Sequence, residues 1–318
     1  MDKILEKIRE YGVMPLVTLD DPQDAYVLGR ALTDCSLPIV EITFRSGAAE
    51  EAIRILRSTY PDMLVGAGTV LDADTAERAI KAGAQFVLAP GMNPGMIEYC
   101  LAEGIPVFPG CMTPTDLGLA QNLGLKVVKI FPFMQMGGIP MLKAISAPYG
   151  KMEFLATGGI NDENLASSLA FPKMAACGGS WLIKKEKLRK GDLEGLKSDI
   201  NRTLAAMLGL RFAHLGINYG MEAAKTLEQI LNVQTLWGQA SGFIGDYVEA
   251  VKTAGQGKNG HIAVGTCDIG RAIFYLQRKG FGIQTESIKK NKAGHILAAY
   301  LKEDAGGFAV HLLQETLG

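Results

Sequence analysis

An excess of charge of either sign is missing from this sequence: 32 lysines and arginines stand against 33 aspartates and glutamates, a formal net charge of −1. Such a balance gives no electrostatic reason to expect nucleic acid or an anionic membrane as partner, while local basic spots for small anions stay open. Cysteine is sparse as well. Cys35, Cys100, Cys111, Cys177 and Cys267 are scattered and odd in number. No pair has zinc-finger spacing and nothing suggests a disulfide framework, so reduced, buried thiols in a cytoplasmic protein are expected. No apolar run is long enough to span a bilayer. The charged start Met1-Asp2-Lys3-Ile4-Leu5-Glu6-Lys7 lacks the apolar core of a signal peptide.

What is present is an ordinary globular composition, 48% hydrophobic and 20% charged, in 318 residues, a length that suits one barrel plus a smaller unit. Short apolar runs at 13–17, 39–44, 63–65, 86–89, 105–108, 127–131, 154–156 and 174–177 alternate with amphipathic stretches such as 21–35, 48–60 and 72–82. Each run is short enough for a strand and bounded by Gly, Pro or Asn. Asp72 or Asp74 can cap the third helix. Strand–helix alternation means parallel sheet, and about eight units in roughly 200 residues point to a closed (β/α)8 TIM barrel. A doubly wound open sheet would normally carry a Gly-rich loop after its first strand. Here Thr18-Leu19-Asp20-Asp21-Pro22 follows, with no glycine.

A charged helix at about 192–208 closes this region, which sets domains at 1–207 and 208–318. Beyond it the pattern changes. A strand at 212–218, a helix at 221–231 and shorter strands within 233–251 are followed by a strand at 261–265, a helix at 268–280 and strands at 281–287, 295–301 and 308–313. This reads as a two-fold repeat of a βαβββ unit, a smaller α+β domain.

Two strands break the apolar grammar of the barrel. In Val40-Glu41-Ile42-Thr43-Phe44-Arg45, alternation puts Glu41, Thr43 and Arg45 on one face, although strands of a parallel barrel are normally apolar on both faces. A structural Glu–Arg pair would account for this. So would an active site, which this fold builds at strand ends. In Val127-Val128-Lys129-Ile130-Phe131, a lysine sits among apolar residues. It must be paired or give up its charge, and a neutral amine attacks carbonyls to form imines. Snorkelling to the rim is the alternative. Glu41 favours the imine, which needs a nearby acid–base group. The pairs Gly158-Gly159 and Gly178-Gly179 end the last two strands, where this fold usually binds phosphate. Gly66-Ala67-Gly68-Thr69-Val70 and Ala89-Pro90-Gly91 also fall at strand ends, as turns or as ligand contacts.

Taken with Phe108-Pro109-Gly110, Val128-Lys129-Ile130-Phe131-Pro132, Ala156-Thr157-Gly158-Gly159-Ile160 and Gly178-Gly179-Ser180-Trp181-Leu182, these motifs resemble the bacterial 2-dehydro-3-deoxy-phosphogluconate and 4-hydroxy-2-oxoglutarate aldolases over about residues 1–207. The resemblance implies a cytoplasmic, homotrimeric Schiff-base (class I) aldolase that needs no cofactor. Its partners would be a small phosphorylated 2-keto acid and pyruvate. By the same resemblance Lys129 forms the imine, Glu41 is the general acid–base, and Arg45 and Thr69 hold the carboxylate. Gly158, Gly159, Gly179 and Ser180 hold the phosphate, Thr157 joins the substrate site, and Phe131 and Pro90 line the pocket. Phe133-Met134-Gln135-Met136 departs from the smaller, more acidic residues expected there. A different phosphate-binding barrel, an isomerase or epimerase with Glu41 as base and Lys129 as charge clamp, is the rival reading.

The C-terminal repeat resembles the glyoxalase-like, vicinal-oxygen-chelate superfamily, on Gly260-His261-Ile262-Ala263-Val264-Gly265 and Phe308-Ala309-Val310-His311-Leu312-Leu313. That resemblance implies a divalent metal held by His214, Glu249, His261 and His311, with His311 standing where a carboxylate is usual. The chain has four histidines, the three named and His295, all beyond the barrel region. A non-catalytic binding or assembly module is the alternative.

Overall fold

The apolar runs of the first two-thirds fold as strands buried on both faces: β1 (Val13–Val17), β2 (Ile39–Thr43), β3 (Leu64–Gly68), β4 (Phe86–Leu88), β5 (Val107–Phe108), β6 (Gly110–Cys111), β7 (Val127–Ile130), β8 (Glu153–Thr157) and β9 (Met174–Gly179). They form one parallel sheet in the order β5-β4-β3-β2-β1-β9-β8-β7-β6. Its two ends, β5 and β6, are separated only by Pro109, which has no N–H to offer a ladder. On one side Ala89 N–H donates to Phe108 O at 3.2 Å, and on the other Lys129 N–H donates to Pro109 O at 2.9 Å. One chain segment thus joins both ends, and the sheet curls into a TIM-type α/β barrel. This is a computed structural model, and it describes residues 2–315.

Helices alternate with the strands, and their starts follow local chemistry. Asp72 caps the helix Ala73–Ala82 by accepting from Thr75 N–H at 2.7 Å. Thr113 and Asp116 make a reciprocal capping box on Pro114–Asn122. Inside the barrel, large side chains need small neighbours. A Cβ at Gly66 would lie 2.1 Å from the Phe86 ring, so that glycine makes room for the aromatic core.

The chain divides into two compact units, Met1–Met207 and Leu208–Gly318. The second holds β10 (Arg211–Ile217), the helix Met221–Leu231, β11 (Leu236–Trp237), β12 (Ser241–Ile244) and β13 (Val248–Val251). Then come β14 (Gly260–Thr266), the helix Ile269–Arg278, β15 (Lys289–Lys290), β16 (Ile296–Ala305) and β17 (Phe308–Gln314). The sheet order is β11-β12-β13-β10-β14-β17-β16-β15. In each half the first strand pairs parallel with the last, β10 with β13 and β14 with β17. The halves join through the antiparallel pair β10 and β14. The repeat is therefore βαβββ in topology.

In the second unit one element differs from the sequence expectation, and in the first the strand β6 (Gly110–Cys111) adds a ninth to the eight expected. Residues 281–287 make a single bridge, Ile283 to Leu301, and then turn into the 3-10 helix Thr285–Ser287. The Ser287 hydroxyl donates to Gln284 O at 2.6 Å and accepts from Tyr300 N–H at 2.8 Å. A side chain that bonds nearby backbone competes with a strand ladder, and the edge strand forms later, at Lys289–Lys290. No helix among the described residues is long and apolar enough to cross a membrane.

Candidate functional site

Register places the polar residues of the barrel strands. Glu41 on β2 lies between Leu16 of β1 and Gly66 of β3, and Lys129 on β7 lies between Gly110 of β6 and Leu155 of β8. Both side chains point into the barrel. Lys129 Nζ is 3.5 Å from Glu41 Oε1, with side-chain exposures of 5% and 0%. The amine also stands 5.6 Å from the centre of the Phe131 ring. Two buried oxygens near this pair, Glu41 Oε2 and Thr157 Oγ1, have no hydrogen-bond partner among the described residues, which leaves them open to a polar group of a substrate.

The loops above the strands carry the rest. Arg45 is exposed after β2, and its Nε donates to Thr69 Oγ1 at 3.2 Å. Thr69 has φ +57, a left-handed conformation that costs a β-branched residue strain and that clusters at functional sites. Gly158 and Gly159 have φ +101 and +75, which glycine alone adopts freely. Gly179 ends β9, and Ser180 and Pro90 are exposed beside their strands. Asp162, which the sequence did not mark, pins the last two loops together. Its carboxylate accepts from Trp181 Nε1 at 2.8 Å, Thr203 Oγ1 at 2.7 Å and Arg202 Nε at 3.1 Å. Gly68 was visible as a motif but not as a contact: a Cβ there would lie 2.0 Å from Glu41 Oε1. The buried thiols are poor nucleophile candidates, since burial pushes Cys111 up to about 12 and Cys100 up to about 11.

A nearly closed parallel barrel with a buried amine–carboxylate pair inside it suits a barrel lyase of the pyruvate-dependent, class I kind. The chain belongs to the KDPG and KHG aldolase family, whose model matches residues 4–198. It is 41% identical over 204 residues to the 2-dehydro-3-deoxy-phosphogluconate aldolase of Treponema pallidum, covering 64% of this chain and 97% of the relative. A KDPG aldolase from Legionella pneumophila, solved with pyruvate captured as a covalent carbinolamine intermediate, superposes with TM-score 0.59 at 31% identity over 64% of this chain and 96% of that one. The 2-keto-3-deoxy-6-phosphogluconate aldolase of Zymomonas mobilis, solved with 3-phosphoglycerate, gives TM-score 0.59 at 30% identity over 63% and 94%.

A second cluster lies in the second unit. Across its central strands one row of paired residues reads Phe243, Glu249, Gly216, His261, Ala309, and the next reads His214, Ala263, His311, Tyr300. Polar side chains alternate with glycine or alanine, which leaves room for the imidazoles. A Cβ at Gly216 would lie 2.1 Å from His261 Cε1. Nε2 of His214 and of His261 are 3.1 Å apart, and Glu249 Oε2 is 3.5 and 3.1 Å from them. One nitrogen from each of His214, His261 and His311 falls within 4.8 Å of the others. Hydrogen bonds from His214 and His261, with a smaller one from Ser241, hold Glu249 well below the usual carboxylate range. Burial, and then the neighbouring His261 and His214, push His311 down to about 4. His295 precedes β16, is exposed and stands apart from the cluster.

Gly68 gives the barrel site a direct mutational test. Gly68→Ala is expected to displace the Glu41 carboxylate and cut turnover at least 10-fold with the fold intact, checked by kinetics alongside circular dichroism. Wild-type turnover in that variant would show that the Glu41 position does not depend on Gly68.

Proposed function

We propose that the barrel is a class I aldolase that cleaves 2-dehydro-3-deoxy-6-phosphogluconate to pyruvate and glyceraldehyde 3-phosphate, and 4-hydroxy-2-oxoglutarate to pyruvate and glyoxylate. The observation that carries this reading is the buried contact of Lys129 with Glu41, in a chain of the KDPG and KHG aldolase family. Lys129 gives a proton to Glu41 and attacks the C2 ketone as the free amine. Glu41 returns that proton to the carbinolamine hydroxyl, and loss of water leaves an iminium that draws electrons toward C2. Glu41, through a water, takes the proton of the C4 hydroxyl as the C3–C4 bond breaks, and that electron pair becomes the enamine. The aldehyde leaves, C3 is protonated, and hydrolysis returns pyruvate and the free amine. No step of this imine chemistry needs a metal or an organic cofactor.

Around that centre, Arg45 and Thr69 hold the substrate carboxylate, and their mutual hydrogen bond orients both groups. The Gly158-Gly159 and Gly179-Ser180 loops receive the phosphate through backbone N–H groups and the serine hydroxyl. Thr157, Phe131 and Pro90 complete the wall. We read the active form as a cytoplasmic homotrimer, as the family resemblance implies.

A second reading concerns the other unit, which we infer to be a glyoxalase-like metal domain. His311 supports it: both ring nitrogens are buried with no side-chain hydrogen-bond partner among the described residues, and burial favours the neutral ring, the form a ligand must take. His214, His261, His311 and Glu249 would hold the ion. Three imidazoles and a carboxylate suit zinc, nickel, copper or iron, and a bound ion would supply Lewis acidity.

Two sets of measurements check these readings. Pyruvate release from the phosphorylated keto acid is expected to vanish in Lys129→Arg, which keeps charge but cannot readily form the imine. In Glu41→Gln it should fall about 10²–10⁴-fold. Full turnover in either variant contradicts the mechanism. For the second unit, the tag-free full chain dialysed against zinc or nickel should bind one equivalent per chain, and His261→Ala should bind far less. Substoichiometric metal that His261→Ala leaves unchanged would leave unit two as a binding or assembly module.

A further inference from the structure

Glu249 differs from the histidines around it in having two equivalent oxygens. A neutral imidazole offers one lone pair, so its ring orientation settles which atom binds a cation. A carboxylate can turn about its last bond and present either oxygen or both. In this chain the choice is made by a neighbouring strand. Glu249 Oε2 faces His261 and His214, whereas Oε1 accepts a hydrogen bond from Ser241 Oγ at 2.5 Å. Ser241 is paired with Val251 in the β12–β13 ladder, so its hydroxyl reaches Glu249 diagonally, within the range of cross-strand neighbours.

The second half of the sheet handles its last-strand residue differently. Tyr300 of β16 lies opposite His311 of β17 and stacks on it, with centroids 4.8 Å apart and planes 24° apart. Among the described residues no side chain donates to or accepts from either nitrogen of His311. The ring is held by stacking and the carboxylate by a hydroxyl, which is the distinction that one lone pair against two oxygens requires.

We propose that Ser241 is a positioning residue, which engages Oε1 of Glu249 so that Oε2 alone is presented to a divalent cation shared with His214, His261 and His311. The proposal rests on the metal reading of the second unit. Among the described residues the Ser241 hydroxyl bonds to Glu249 and to no other member of the cluster, so its effect on a cation passes through Glu249. Groups that orient a ligand typically change metal affinity by about 10–100-fold when lost.

The test uses the full chain with Co²⁺, its affinity measured by competition with a chromogenic chelator and its ligand set by visible absorption. Wild type should bind one equivalent. Ser241→Ala should bind about 10–100-fold more weakly with an altered absorption envelope, because Glu249 is then free to turn. Ser241→Thr keeps the hydroxyl and should restore both affinity and spectrum, a rescue that general loosening of the strand would not give. Ser241→Ala matching wild type in both readouts would overturn the positioning role while leaving the metal site standing. So would Ser241→Thr as weak as Ser241→Ala. Absence of Co²⁺ and Zn²⁺ binding in wild type would overturn the metal reading itself and this role with it.

Discussion

A primary amine kept inside an apolar barrel is the constraint on which the first unit depends. Lys129 is flanked by strands buried on both faces and meets one carboxylate, Glu41, which is itself fully buried. Such a pair is no device for stability. Taking two charges out of water costs several kcal/mol per ion, on the order of what their attraction returns, and removing one partner typically costs about 3–5 kcal/mol. The proposed mechanism gives the pair a chemical use: the amine and the carboxylate that would take its proton are 3.5 Å apart. The surrounding backbone follows from that demand. Gly68 leaves space for the carboxylate, and Gly110 lets β6 pass Pro90, whose oxygen a Cβ would approach to 2.0 Å.

The loops complete the site because the strands aim them at one end of the barrel. Thr69 accepts a strained left-handed backbone and there meets Arg45. Asp162 ties the loop after β8 to Trp181 and to the closing helix Leu193–Leu208, which fixes the two glycine loops relative to each other. The second unit applies the same logic to a sheet. Small residues at Gly216, Ala263 and Ala309 make room for imidazoles, and β12 and β16 brace the residues beside them.

Much of this was legible in the sequence, for a reason that is local. Polar residues within short apolar runs announce themselves, so Glu41 and Lys129 stand out without a structure, as do glycine pairs at strand ends. Topology then brings Glu41 and Lys129 together, 88 residues apart in sequence. Register was harder. Glu249 had no clear face in a region of short strands, and only its pairing with Gly216 and Phe243 sets it against His261. Contacts between distant segments left no local trace at all. Asp162, Gly216 and Ser241 look like ordinary loop and strand residues, and their roles arise from what crosses them in space. Residues 281–287 misled as a strand because their apolar pattern outweighed the Thr-Glu-Ser turn chemistry at their end.

The central claim is that Lys129 itself becomes covalently bound to substrate, and one experiment reads it directly. The full chain is incubated with pyruvate and borohydride, digested, and examined by peptide mass spectrometry. A reduced pyruvyl adduct on Lys129, absent without pyruvate and absent in Lys129→Arg, is the predicted result. An adduct on another lysine, or no adduct at all in a turning-over enzyme, would contradict the account.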